Sequence, residues 1–180
     1  MRVRGRNSRN SLANENATRN WRIYADFAQR LLGIAPKLYA EAPFGVDLAN
    51  TACALESTTI DLSLSLFAWS PFRSTKAAVK MHTLLDLRGN IPRFIHISDG
   101  KLHDVNILDQ VIPQTAAFYV MDRGYIDRAR LHRLHQAGSF FVTRAKKNMD
   151  AQGRNWHPVD RSDGVRFDQT LGYQPAKDYP

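Results

Sequence analysis

The run Phe118-Tyr119-Val120-Met121-Asp122-Arg123-Gly124-Tyr125 constrains this chain more than any other stretch. Phe118, Val120 and Met121 are apolar and β-favouring, so the run reads as a short buried strand. It ends on a carboxylate, Asp122, and Gly124 permits a tight exit. From Ile126 to Gln136, apolar residues recur near helical spacing at Ile126, Ala129, Leu131 and Leu134, and Gly138 stops the helix. A carboxylate at the tip of a central strand is poorly placed for packing. It can cap the helix that follows, or it can hold a metal ion.

The remaining elements show what sheet this strand belongs to. Trp21 to Tyr39 is an amphipathic helix candidate, with Trp21, Tyr24, Ala25, Phe27, Ala28, Leu31 and Leu32 on one face. Gly33 and Pro36 weaken or break its second half. Pro43 and Gly45 mark a connector over residues 40–49. Thr51 to Leu55 is the first strand candidate and leads into Glu56. Ala77 to Asp86 alternates as a second strand, Arg88-Gly89-Asn90 turns, and Ile91 to Ser98 returns as a third, so these two are antiparallel. His103 to Ile112 reads as a short helix stopped by Pro113. Ser139 to Arg144 is a fifth strand, almost wholly apolar and therefore expected inside the sheet. After Lys147 the chain turns polar and irregular. Three strands followed by alternating αβ units predict a mixed α/β sheet with helices packed on its faces.

Length and composition bound the function. A chain of 180 residues is one domain with room for an appendage. The formal net charge of +8 favours a polyanionic partner, nucleic acid first and an anionic membrane surface second. Residues 1–18 form a basic arm expected to be disordered; it either touches phosphate or simply solubilises the start of the chain. The one cysteine, Cys53, rules out an internal disulfide framework and a cysteine zinc cluster, and it suits a reducing cytoplasm. Flanked by Ala52 and Ala54, it is read as a buried structural thiol. No run of 18 apolar residues is present, so no membrane span is expected. The loop from Ser65 to Thr75, with Phe67, Trp69 and Arg73, reads either as a DNA contact or as a loop pinned by its own aromatics.

Several groups could carry chemistry. Glu56 and Asp122 each follow an apolar strand run. If the first and fourth strands are neighbours, the two carboxylates lie side by side and make a site for Mg2+ or Mn2+. Asp99, His103 and Asp104 could serve a metal or a phosphate, or could only shape a turn and a helix start. Lys80 and His82 share the polar face of their strand, where they could reach phosphate or be solvated. Residues 123–161 hold nine Lys or Arg against Asp127, Asp150 and Asp160, including Arg123, Arg144, Lys146 and Lys147. Such a cluster could track a phosphate backbone or be a solvated basic face.

The runs Glu56 to Leu62, Lys80 to Asp86, Ile97 to Asp104, Tyr119 to Tyr125 and Phe140 to Lys146 resemble DDE transposases of bacterial insertion sequences. The resemblance is to the group whose RNase H-like core is interrupted by a β-rich insertion, and it covers about residues 20 to 165. It implies an RNase H-like mixed sheet, with the partial core at 50–147 and the start of the insertion at 148–180. It implies divalent-metal-dependent cleavage of transposon ends and strand transfer into target DNA, with DNA as partner and a homodimer as a possible assembly. It makes Asp122 a catalytic metal ligand and puts Glu56 at the position of the family's first Asp. Tyr125, with Asp99, His103 and Asp104, would stand behind the ligands; Lys80, His82, Arg123, Arg144, Lys146 and Lys147 would contact DNA. Two departures follow. Glu56 is one methylene longer than Asp, and a shift of about 1 Å at a catalytic group can cost on the order of 10²-fold. The family's third ligand is a Glu on a later helix, and no Glu follows Glu56 here. The expectation is therefore an incomplete, inactive N-terminal portion of a transposase. A non-catalytic DNA-binding remnant and an RNase H-like nuclease are the alternatives.

Overall fold

The computed structural model of the protein describes residues 9–20, 22–39, 42, 44–62, 71–73, 76–147 and 152–172. Phe67 and Trp69 of the expected loop contact lie outside the described residues, as does Asp150. The chain divides into two units, Met1–Thr143 and Arg144–Pro180.

In the first unit, helices α1 (Arg9–Thr18) and α2 (Arg22–Leu38) precede six strands: β1 (Ala52–Leu62), β2 (Pro71–Arg73), β3 (Lys76–Asp86), β4 (Ile91–Asp99), β5 (Phe118–Met121) and β6 (Phe140–Thr143). A 3-10 segment, Asp104–Asp109, follows β4; a 3-10 turn, Arg123–Tyr125, follows β5; helix α3 (Arg128–Gln136) leads into β6. The sheet runs β4-β3-β1-β5-β6, with β2 against the start of β3. β3 is antiparallel to both β1 and β4, whereas β5 is parallel to β1 and β6 to β5. This is the expected RNase H-like mixed α/β sheet, with the first and fourth predicted strands adjacent.

One face of the sheet carries the core. Cys53, Leu55, Leu84, Tyr119 and Met121 from the strands meet Ile107, Leu108 and Val111 around the 3-10 segment, together with Tyr125 and Leu134. Burial pushes the Cys53 thiol up to about 11, so it is an inert core side chain, as expected. A polar clamp joins the 3-10 segment to α3. Asp109 accepts from Arg130 Nε and Nη2, the latter at 2.6 Å, and from Arg133 Nη1 at 3.3 Å. Arg130 also donates to Asn106, and Arg133 to the Leu108 carbonyl. The hydrogen bonds from Arg130 hold the Asp109 carboxyl below its usual range.

The structure departs from the sequence reading in several places. Residues 9–18 are helical rather than disordered, held locally by the Thr18 hydroxyl donating to the Asn14 and Glu15 carbonyls. α2 continues through Pro36, because a proline so near the helix end removes a hydrogen bond from the last turn only. The expected helix at 103–112 is a shorter 3-10 segment. β6 is an edge strand among the described residues rather than an internal one, and Phe140, Phe141 and Val142 are exposed. An apolar run reads alike at the edge and at the centre; only the presence of a second neighbour distinguishes them.

The second unit holds an antiparallel pair, β7 (Gln152–His157) and β8 (Asp168–Gly172), joined through a 3-10 turn at Arg161–Asp163. Trp156 meets Phe167 edge-on, and His157 Nε2 lies 2.7 Å from Thr170 Oγ1. These strands alternate too weakly in hydrophobicity to show in the sequence. No helix among the described residues is long and apolar enough to cross a membrane.

The turn between β3 and β4 touches the end of α2. A Cβ built on Gly89 would sit 2.8 Å from Tyr39 Cβ, an atom that cannot swing aside. Gly89→Ala is expected to cost about 1–3 kcal/mol, measured as a lowered midpoint of urea unfolding with an unchanged slope.

Candidate metal centre

The centre of the sheet sets the geometry. Leu55 of β1 pairs with Met121 of β5, and both are buried. Glu56 and Asp122 come next in the two chains, just past the last registered pair. Because side chains alternate, both point to the face opposite the core, and both are exposed. Glu56 does not follow its strand, as the sequence suggested. β1 runs on to Leu62, with Glu56 opposite Thr83 of β3.

Asp122 does cap, but it caps the 3-10 turn. Its Oδ1 accepts the Arg123 N–H at 2.5 Å. The cap of α3 is Asp127, which accepts from the Arg130 N–H at 3.0 Å. The 3-10 turn carries Tyr125 into the protein, where it is 3% exposed. Burial, reinforced by the charges of Asp104, Glu56 and Asp122 against a lowering by Ser57, pushes its hydroxyl up to about 12. That oxygen lies against Ser57 without a hydrogen bond of good geometry. Ser57, on the strand position after Glu56, was not singled out from the sequence. A serine beside a candidate ligand is uninformative until the register is known.

Asp104 stands beside the same hydroxyl and is held by Lys80. The Lys80 ammonium donates to Asp104 Oδ1 at 3.0 Å and to the Leu102 carbonyl at 2.8 Å. Lys80, expected to reach phosphate, is instead 15% exposed and locked in this pair. His82, expected on an open face, is fully buried. Its Nε2 is 3.0 Å from Ser98 Oγ, while Nδ1 has no partner. The open-face reading of Lys80 and His82 fails because they share their side of β3 with Leu84, the side that faces the core and the 3-10 segment. Asp99 folds back on its own loop and accepts the N–H groups of Lys101 and Leu102. His103 is exposed and precedes the 3-10 segment without a side-chain cap. Arg123 is exposed next to Asp122. Arg144, Lys146 and Lys147 are exposed in the second unit. Arg130 and Arg133, counted with the basic cluster, are committed to Asp109.

Two adjacent, exposed carboxylates fit Mg2+ or Mn2+, which are commonly held by one or two carboxylates with water and phosphate completing the shell. Among the described residues, no group of three or more His, Cys, Asp or Glu is placed to hold a metal ion.

Comparison with known proteins agrees with this architecture. Residues 51–172 match the family model described as Transposase DDE domain. Over 95 residues the chain is 32% identical to y4zB of Sinorhizobium fredii, a protein named as a transposase; the match covers 53% of this chain and 26% of that one. It is 27% identical over 126 residues to a Geobacillus stearothermophilus protein named as a transposase for insertion sequence element IS5377, covering 69% of this chain and 33% of the relative. The chain thus spans about a quarter to a third of the length of these relatives. No solved structure matches it. The chain belongs to the transposase DDE domain family.

The buried imidazole under the centre makes stability depend on pH. Burial lowers the His82 pKa below its value in the unfolded chain, so the unfolded state binds the proton more readily. The contribution of His82 is complete above about pH 6.5 and is lost as pH falls through the lower folded value. Urea midpoints are expected to drop as the pH is lowered through that window, and His82→Gln is expected to flatten the dependence.

Proposed function

We propose that this family member contributes the strand-end carboxylates of an insertion-sequence DNA transposase, an enzyme that cleaves and transfers DNA strands with Mg2+ or Mn2+. What supports this reading is the parallel pair Leu55↔Met121, after which Glu56 and Asp122 are the next residues of the two chains, both exposed. Such an ion, when bound, supplies a Lewis acid at phosphorus and lowers the pKa of an attacking hydroxyl. The chain's own residues orient and attract. The Arg123 N–H fixes Asp122, so that carboxylate presents its oxygens from a defined position. Glu56 reaches toward the same space from the neighbouring strand. Tyr125, in the core beneath, feels the charges of Asp104, Glu56 and Asp122. Exposed Arg123, Arg144, Lys146 and Lys147 are the candidates for phosphate contacts, consistent with the net charge of +8. DNA is the partner this reading implies, with the cytoplasm as its setting.

Manganese binding, followed by electron paramagnetic resonance, tests the centre. Asp122→Asn and Glu56→Gln are each expected to weaken Mn2+ binding by about tenfold or more. Binding indifferent to both would refute the site. With two carboxylates where the family uses three, these 180 residues alone are expected to leave transposon-end DNA uncut in Mg2+ or Mn2+.

The absence of a third metal-binding side chain among the described residues favours a second reading, a non-catalytic DNA-binding module. It requires metal-free binding to duplex DNA. If four cations neutralise phosphates, affinity should fall on the order of 10²-fold between about 50 and 200 mM salt. A salt-independent affinity would exclude it.

A further inference from the structure

We propose that the Tyr125 hydroxyl and Ser57 form a strap beneath the sheet that sets where Asp122 stands relative to Glu56, which makes both of them positioning residues for the metal centre. The proposal rests on the metal-centre reading above and names what holds that centre in shape.

The two carboxylates are not held equally. Glu56 lies inside a long ladder: β1 pairs with β3 without interruption from Cys53↔Asp86 to Leu62↔Ala77, with Glu56 opposite Thr83. Its backbone is therefore fixed. Asp122 lies past the end of β5, beyond the last pair with β1, Leu55↔Met121, and beyond the last pair with β6, Met121↔Thr143. Neither ladder reaches it. Its place comes from the turn that it opens, where its carbonyl accepts the Tyr125 N–H at 3.0 Å and its carboxylate accepts the Arg123 N–H. These bonds shape the turn but do not fasten it to the sheet. The fastening falls to Tyr125, the residue that the turn sends into the core.

The ring and the hydroxyl of Tyr125 contribute differently. The ring belongs to the core cluster with Leu55, Met121 and Ile107, a place that phenylalanine would fill as well. The hydroxyl reaches Ser57, which strand alternation turns to the core face one position after Glu56. The residue three positions after one carboxylate thus meets the residue next to the other. That hydroxyl is buried and makes no hydrogen bond of good geometry. For the fold alone such a group is a cost, and phenylalanine would be the more stable choice. A hydroxyl that the fold does not need, joining the turn of one ligand to the strand of the other, fits a spacer between them. Outer partners of this kind orient the groups that hold an ion, and affinity depends on them strongly. The other buried tyrosine, Tyr119, is a contrast: its hydroxyl accepts the Gln114 N–H at 2.9 Å and so serves the fold.

Titration of the full 180-residue chain with Mn2+, followed by electron paramagnetic resonance, tests this beside urea unfolding of the same metal-free samples. Tyr125→Phe is expected to weaken Mn2+ binding by about tenfold while leaving the urea midpoint in place or raising it. Ser57→Ala should weaken binding by a similar factor. The double substitution should weaken it no more than either alone, because the two groups make one contact. Mn2+ still bound to Tyr125→Phe should show an altered line shape, since its carboxylates stand differently. Tyr119→Phe should do the reverse of Tyr125→Phe, lowering the midpoint and sparing Mn2+ binding. Affinity unchanged in Tyr125→Phe and Ser57→Ala, while Glu56→Gln and Asp122→Asn still weaken it, overturns the strap alone. Additive losses in the double substitution, or an unaltered line shape, overturn it too. A fall in affinity matched by a lower midpoint in Tyr125→Phe assigns the hydroxyl to the fold and overturns the strap. A wild-type chain that takes up no Mn2+, or takes it up indifferently to Glu56→Gln and Asp122→Asn, overturns the centre and the strap together.

Discussion

Parallel pairing of β1 with β5 is the contact on which the rest of the first unit depends. It joins residues 66 positions apart, and only four pairs make it, from Ala52↔Phe118 to Leu55↔Met121. Such a short ladder could slip. A slip by one residue would exchange the faces of every side chain on one strand. Burial prevents it: Cys53, Leu55, Tyr119 and Met121 all enter the core. The approach is also pinned from outside the ladder. Asn50 Nδ2 donates to the Ala116 carbonyl, and the Phe118 N–H donates to the Thr51 carbonyl. Apolar packing on one face therefore fixes where Glu56 and Asp122 stand on the other. The candidate centre depends on the core without touching it.

This dependence explains how much was legible in the sequence. The β3–β4 hairpin, the strand ending at Asp122 and the helix after it are local patterns, and each is present close to its expected bounds. Alternation and turn residues act over a few positions, so a single chain displays them. What the sequence conceals is the environment of a residue once non-local neighbours arrive. Lys80 and His82 share the face of β3 that carries Leu84, and that face, opposite Val79, Met81 and Leu85, is the one turned to the core. β6 is as apolar as a central strand, yet its outer side has no partner among the described residues. Ser57 and Tyr125 meet only because the register of two long-range ladders brings them together. Conversely, Arg130 and Arg133 look like surface cations and serve as the clamp on Asp109.

The polar layer beneath the carboxylates is an unusual place for a lysine. Lys80 gives up most of its contact with water, and this is tolerable because two oxygens, Asp104 Oδ1 and the Leu102 carbonyl, receive its protons. Removing Asp104 would strand a charge, and removing Lys80 would leave a half-buried carboxylate without its cation. The pair thus ties the 3-10 segment to the sheet. The unpartnered His82 Nδ1 and Tyr125 hydroxyl next to it are costs that the apolar core around them outweighs.

Glu56 is the residue at which structure and family resemblance pull apart. The last registered pair before the two carboxylates is Leu55↔Met121, and the Arg123 N–H holds Asp122 in place. Any adjustment for the extra methylene must therefore come from Glu56 itself. Being exposed, it can turn about its additional torsion and bring an oxygen to the space that a shorter carboxylate would occupy. Ordering the whole Glu side chain costs up to about 1.5–2 kcal/mol of rotamer entropy, of which the extra torsion is one part. The full loss would weaken an ion's hold by roughly 10- to 30-fold, so the added methylene costs less than that. The two-carboxylate geometry is therefore compatible with metal binding but makes it shallow. Its strength would be set by what the substrate phosphate adds.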